Sequence, residues 1–282
     1  MTRHTSQPTR RQALLSGAGL AASLAALGMS SSAWAITSAE IKAKGKVTIG
    51  IQAANPPWGF VDSATGQADG VDADMGKAFA AYLGVPAEFA GLEVANRIPA
   101  LTSGRVDVLF ATMAMLPDRA KAVQYSKPYV ANSIYLVAAK TLAVKADADM
   151  AKLVSGVPRA SVQDTDVTKH APAGTTIRRF DNDAAAIQAL LSGQVQAVGG
   201  NAFYVRRLNE AAPGIYENKL EFTQLYNGAC TRLDDKELNG ALNAFLDKIK
   251  ANGDLAKIQQ KWMGSSMVNF PASIEGVPFV AK

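Results

Sequence analysis

Only one cysteine, Cys230, and two histidines, His4 and His170, occur in the 282 residues. One thiol cannot close an intramolecular disulfide, so stability has to come from packing. A metal cluster, a Cys–His pair or a His-based triad would have to rest on Cys230 and His170. His170, in "DTDVTKHAPAG", reads as a solvated helix end, and Cys230 as a small buried residue in an apolar strand. No P-loop is present and no G-x-G-x-x-G follows a strand, so nucleotide cofactors have no cradle and no cofactor is expected. A long apolar run is missing too. "ALLSGAGLAASLAALGM" has 17 residues diluted by Gly and Ser, which makes a poor membrane span.

That run follows the basic "MTRHTSQPTRRQ" and precedes Ala33-Trp34-Ala35, a small-x-small site. Residues 1–35 therefore read as an export signal, cleaved near Ala35, which points to the periplasm. Arg10-Arg11 resembles the twin-arginine motif, but Ala13 stands where that pattern prefers Phe, so the general secretory route stays open. Of the 29 basic residues three fall in the leader, leaving 26 against 24 acids. A net of +2 makes nucleic acid a poor partner. The remaining 247 residues suffice for two lobes.

Strand and helix signals alternate through those residues. "KVTIGIQ" reads as a buried strand and "PPWGFVD" as a loop. "DADMGKAFAAYLG" is an amphipathic helix with Asp72 or Asp74 as its cap. "PAEFAGL" is a second strand, "NRIPALTSG" a short helix with Arg97 on its surface, and "RVDVLFATM" a third strand. This order implies βαβ units and parallel sheet. "ALTSGRVDVLF" (100–110) has a partner 89 residues later in "ALLSGQVQAVG" (189–199), preceded by a helix capped by Asp181 or Asp183. "NSIYLVAAK" reads as a strand leaving the first lobe and "LEFTQLYNGACTRL" as one returning. Two helices, 235–253 and 254–264, close the chain. Two crossings between lobes form a hinge. The expected domains are lobe one in 36–132, lobe two in 133–226, and a return to lobe one with the C-terminal helices in 227–282.

Ligands of open α/β sheets bind at the carboxyl ends of the strands, here 110–119 and 199–204. A site between the lobes draws on Thr112, Ala114 and Arg119 from one side and on Gly200, Asn201 and Tyr204 from the other. Arg119 offers a planar fork suited to a carboxylate, beside a helix start near Pro117. Arg159 and Ser161, in the "GVPRAS" turn, face the same cleft; Arg159 is a candidate for a second carboxylate or an exposed turn residue.

Five blocks carry a family resemblance. They are "VTIGIQAANPPWGF", "GVDADMGKAFAAYLG", "NRIPALTSGRVDVLFATMAMLPDRAKAVQYSKPY", "SGVPRASVQDT" and "LNAFLDKIKANGDLAKIQQKWMG". In that order they resemble the periplasmic solute-binding proteins of amino-acid ABC transporters, family 3. The resemblance implies an α/β protein of two Rossmann-like lobes with mixed sheets joined by two hinge strands, the type II periplasmic binding fold. It implies that Arg119 grips a ligand carboxylate and that Thr112 stands where the family has a small hydroxyl residue. Ala114 lacks the usual hydroxyl, and Asn201 stands where the family has an acid for the ligand ammonium. The ligand-sandwiching aromatics correspond to Asn55 and Val94, and the acid of cationic amino-acid binders to Gln52. Trp58 keeps its aromatic, with packing as the expected role.

The function implied is a monomeric, non-enzymatic binding component of an ABC importer. It closes on a small carboxylate-bearing solute, an amino acid but not a cationic one, and presents it to a membrane permease. The rival is a periplasmic lyase on the same fold, of the cyclohexadienyl dehydratase kind, for which Asp164 or Glu93 would have to act as acid or base. A sensor that binds a partner without transport is a third possibility.

Overall fold

A run of apolar residues without alternation is the mark of a strand covered on both faces, and Val47–Gln52 folds as one, buried at every position. A computed structural model describes residues 35–282, apart from positions 268 and 282. Residues 1–34, which hold almost all of the expected export signal, lie outside the described residues. In chain order the elements are α1 (Ser38–Lys44), β1 (Val47–Gln52), β2 (Ala54–Asn55), β3 (Gly59–Val61), β4 (Ala68–Asp69), α2 (Val71–Leu83) and β5 (Ala87–Leu92). Then come α3 (Arg97–Thr102), β6 (Val108–Leu109), α4 (Pro117–Ala120), β7 (Gln124–Ala139), β8 (Val154–Pro158), α5 (Val162–His170) and β9 (Thr176–Phe180). The chain continues through α6 (Asp183–Leu191), β10 (Ala197–Asn201), α7 (Tyr204–Ala211), β11 (Tyr216–Thr231), α8 (Lys236–Ala251) and α9 (Asp254–Met263).

An eight-stranded sheet runs β5-β1-β6-β11-β7-β10-β8-β9. β1 pairs in parallel with β5 and β6, and β8 with β10 and β9. Between these parallel units lies an antiparallel ribbon of β7 and β11, 16 residues each. At about 3.3 Å per residue such a strand spans roughly 50 Å, enough to belong to both α/β halves. One core packs α2, α8 and α9 around Ile49, Phe79 and Phe245; another packs α6 and α7 around Val137, Ile187 and Tyr204.

The repeat at an interval of 89 residues extends to single hydrogen bonds. Val106 N–H donates to Ala100 O and Val195 N–H to Ala189 O, both at 3.2 Å. Gly104 and Gly193 end the two helices with φ of 75° and 71°, values that suit glycine.

Several local expectations are corrected. The stretch after β1 is no plain loop, since β2, β3 and β4 form a small antiparallel sheet. Strands of two or three residues carry no readable alternation. The third strand is only Val108–Leu109, because Thr112 turns the backbone out of the ladder at a φ of 52°. Neither α2 nor α6 is capped by either of its candidate aspartates. Gly70 begins α2, and Asn182 caps α6 by accepting from Ala185 N–H at 2.9 Å. Asp74 accepts from Trp262 Nε1 at 2.7 Å and Asp181 meets Arg159, while Asp72 and Asp183 are buried. His170 does end α5, but it is held by Asp147 at 2.8 Å and lies against Phe222 rather than standing free in water. Cys230 is fully buried, which pushes its thiol pKa far above the usual range. Among the described residues no helix is long and apolar enough to cross a membrane.

Candidate functional site

Strand ends from the two halves meet at one small cavity beside the β7–β11 ribbon. Gln52 ends β1, Asn55 ends β2, Thr112 and Ala114 follow β6, and Arg119 lies in α4; all five line it. The opposite wall contains Ser161, at the start of α5, and Asn201, the last residue of β10. It is nearly closed, with room for about one water molecule.

Three expected residues are not brought in. Trp58 is fully buried and meets Phe203 edge-on at 5.7 Å, lining a separate pocket with Met263 and Met267. Val94 is buried, its carbonyl taken by Arg97 Nε at 2.9 Å. Arg159 turns outward, half-exposed, to Asp181 at 3.1 Å because its backbone is tied to β9 through Phe180 O. Tyr204 also stays outside, buried with its hydroxyl donating to Asp183 at 2.7 Å. Glu93 and Asp164 do not line the cavity; Asp164 accepts from Arg179 at 3.0 Å.

Arg97 is the main correction. It is not on the surface but 4% exposed, and it lines the cavity. Nη1 donates to the carbonyls of Ala111 at 2.9 Å and Thr112 at 3.1 Å, pinning the turn after β6. Burial, with the neighbouring Arg119 cation as a second cause, pulls its pKa down to about 10. The signal was present in the sequence: Arg97 stands three and four residues before Ala100 and Leu101, the buried face of α3. Asn132 and Asn227, in the ribbon strands, and Val162 and Gln163, in the first turn of α5, were missed as well. A polar residue inside a largely buried stretch was the available sign for Asn132, and the buried end of β11 holds Asn227 in the same way.

Two features define the chemistry of the cavity. Its lining holds two guanidinium groups and no carboxylate. It also concentrates unmatched polar atoms. Arg119 Nη1, Asn132 Oδ1 and both side-chain polar atoms of Asn227 are buried without a partner. Each such atom costs on the order of 1–3 kcal/mol, so their convergence makes this cavity the candidate site. Arg119 Nη2 reaches across to Ala160 O at 3.2 Å. The N–H groups of Val162 and Gln163 stand at helix positions with no intrahelical acceptor, a second source of anion-binding donors. Asn201, by contrast, has a partner at each polar atom, with one amide hydrogen still uncommitted. Its Oδ1 accepts from Phe203 N–H at 3.0 Å and its Nδ2 donates to Asn55 Oδ1 at 3.1 Å, and Asn55 donates on to Gln52 at 2.6 Å.

Comparison with known proteins gives a consistent picture. The profile of the bacterial extracellular solute-binding proteins, family 3, matches residues 47–265. The L-arginine-binding protein of Pseudomonas aeruginosa is 27% identical over 226 residues, covering 77% of this chain and 87% of that protein. A solved structure of an ancestral arginine-binding protein bound to arginine is 33% identical, with a TM-score of 0.73 over 78% of this chain and 99% of its own. An ancestral amino acid-binding protein described as a precursor of cyclohexadienyl dehydratase is 29% identical, with a TM-score of 0.73 over 80% and 98%.

Proposed function

The chain belongs to the bacterial extracellular solute-binding proteins, family 3, and from that premise we propose that it captures a small carboxylate-bearing solute for an ABC importer. The observation that carries the substrate class is the pair Arg97 and Arg119 in a cavity lined by no acid. A cationic side chain would meet two like charges there, which is unfavourable in a site withdrawn from water. The arginine named for two of the relatives is therefore a poor fit, and Gln52 supplies no charge to hold it. A carboxylate, in contrast, gives Arg119 Nη1 its missing acceptor and lies within the field of the α5 amides.

The near absence of free volume supports capture by movement. The contacts Asn201–Asn55, Arg119–Ala160 and Trp58–Phe203 all join one half to the other. Parting the halves about the β7–β11 ribbon breaks these contacts and admits the solute; closing restores them around it. In this reading lobe one is 36–132 with 227–282, and lobe two is 133–226. The mature, exported chain acts as a monomer in the periplasm and delivers the solute to a membrane permease.

Native mass spectrometry of the purified mature protein, followed by calorimetric titration with amino acids and organic acids, tests this. One carboxylate per chain and no binding of L-arginine or L-lysine is the expected result. Binding of cationic amino acids alone, or of no carboxylate at millimolar concentration, refutes it. Incubation with prephenate or arogenate separates binding from turnover, since a binding protein forms no product.

A further inference from the structure

A second cavity shares Asn132 with the Arg119 cavity, and its chemistry is the opposite. Trp58 from one half and Phe203 from the other meet edge-on in its wall. Met263, the last residue of α9, and Met267 add two thioethers. Gln259 fixes that corner to the ribbon: its Nε2 donates to Tyr129 O at 2.7 Å and its Oε1 accepts from Met267 N–H at 2.6 Å. No residue of the lining carries a charge, so an ion seated here would find no counter-charge for the water it gives up. The cavity encloses about 190 Å³. An apolar cavity of about 150 Å³ accepts a benzene ring, so this one holds a single ring with a small substituent. Thioether sulfur and aromatic edges both favour an aromatic occupant over an aliphatic one.

One polar group gives the occupant a further feature. The indole N–H of a buried tryptophan ordinarily finds an acceptor. Trp58 is fully buried and its Nε1 has none, an omission that costs about 1–3 kcal/mol. Trp58 does not line the Arg119 cavity, so a solute held there leaves this N–H unmatched. Asn132 Oδ1 is also unpartnered, but Asn132 lines both cavities and its oxygen assigns itself to neither. The indole has a single donor and no acceptor, so the complementary atom is a hydrogen-bond acceptor on the occupant.

We propose that this cavity is a second binding site, for an uncharged aromatic molecule with a hydrogen-bond acceptor, such as a phenol or an aryl alcohol: the ring packs against Trp58, Phe203 and the thioethers, and the acceptor takes the Trp58 N–H. Because Trp58 and Phe203 belong to different halves, the occupant binds the closed arrangement in preference to the parted one. By reciprocity it tightens the hold on a solute at Arg119. That coupling rests on the closure reading above; the existence of the site does not.

Benzyl alcohol, toluene and benzylammonium, which share a ring, test this when titrated into the mature protein with no other solute present. Calorimetry reads stoichiometry, and nitrogen–proton NMR spectra read the Trp58 indole resonance, assigned by its absence in Trp58→Phe. The expected result is one benzyl alcohol per chain, a downfield shift of the Trp58 indole proton, and binding of benzylammonium weaker by about tenfold or more. In Trp58→Phe the preference for benzyl alcohol over toluene should fall about fivefold, the equivalent of one neutral hydrogen bond. Ala202→Leu, which fills the cavity from an exposed wall position, should abolish binding of all three. Saturating benzyl alcohol should tighten binding of a carboxylate solute about fivefold or more. No binding of benzyl alcohol at millimolar concentration, an unmoved Trp58 resonance, or mutual displacement of benzyl alcohol and carboxylate overturns the site while leaving the carboxylate grip standing. Binding that leaves the carboxylate affinity unchanged overturns the coupling alone. If no carboxylate binds, that grip is refuted, and the benzyl alcohol titration still decides the second site.

Discussion

Replacing Arg119 by Met separates ligand binding from folding, because the two effects have opposite expected signs. With the halves closed and no solute between them, Arg119 Nη1 is buried without a partner, which costs on the order of 1–3 kcal/mol. Its one hydrogen bond, Nη2 to Ala160 O at 3.2 Å, returns about 1 kcal/mol. The guanidinium also lies close enough to Arg97 to lower that group's pKa. Met keeps the unbranched stem of the side chain without the guanidinium and removes both liabilities. The unliganded variant is therefore expected to melt at or slightly above the temperature of the parent, with a rise of roughly 2–4 °C per kcal/mol for a chain of this size. In the complex the same change deletes two charge-assisted bonds to a carboxylate, about 1.5–3 kcal/mol each. With some relaxation the loss is about 3–5 kcal/mol, a rise in Kd of roughly 10²–10⁴-fold. Calorimetry and thermal melts with and without solute read both quantities. A variant that binds carboxylates as tightly as the parent, or one that melts more than about 5 °C lower without ligand, refutes the reasoning.

Asp72 gives a pH dependence whose sign is fixed by its surroundings. Burial pushes its carboxyl up to about 6, against hydrogen bonds from Tyr129 and Thr112 and the Arg97 cation, which all favour the ionised form. Between the ordinary carboxylate range and about pH 6 the folded state holds a proton that the unfolded state has released, so stability falls as pH rises through that window, by roughly 2–3 kcal/mol from this group. Asp72→Asn is expected to make urea-unfolding free energies less steep between pH 4 and 6; the slope that remains belongs in part to Asp183, raised by burial in the same direction. Gly104→Ala and Gly193→Ala each force a left-handed φ on a residue with open space around it, and each should cost about 1 kcal/mol; a loss at one site and not the other would contradict the repeat. Arg97→Lys keeps the charge but not the fork that holds three carbonyls, so it should destabilise the unliganded protein by about 1–3 kcal/mol and weaken solute binding as well, and unchanged melting and affinity would exclude a role for the fork.

What was legible in the sequence followed the length of the signal. α2, α8 and α9 carry enough apolar residues on one face to be read within a residue or two, and the 89-residue repeat located both helix-Gly-strand modules. The extent of β7 and β11 was not legible, because a 16-residue strand that passes from one core into another changes its neighbours midway and with them its burial pattern. In the site, Arg119, Thr112 and Asn201 were reachable from strand ends and from the family resemblance. Asp72 and Asp183 were not, because an aspartate at a helix start reads as a cap, and only tertiary structure shows that Thr112, Tyr129, Gln163 and Tyr204 bring their hydrogens to these two instead.

That misreading bears on how the site is built. A carboxylate placed directly in a cavity with Arg97 and Arg119 would pair with them and compete with the ligand for the same donors. Set one hydrogen bond back, Asp72 and Asp183 cannot reach the guanidinium hydrogens, and their donors are supplied by tyrosines that stay protonated because burial raises their own pKa values. The guanidinium of Arg119 thereby keeps a free N–H for a solute, and the buried charge is still partly balanced. The position where the family has an acid can then carry Asn201, whose amide serves a different end. Its bond to Asn55 joins the halves at the floor of the cavity, so closure and the polarity of the wall are set by separate residues. Asn201→Asp would merge those roles: it removes the amide hydrogen shared with Asn55 and adds a charge facing two arginines. Affinity for bare carboxylates should then fall tenfold or more, about 1.4 kcal/mol, while amino acids are spared by their ammonium group, and titration of propanoate against alanine distinguishes the two. Equal loss for both would mean that the bridge to Asn55, and not the charge, governs what the cavity accepts.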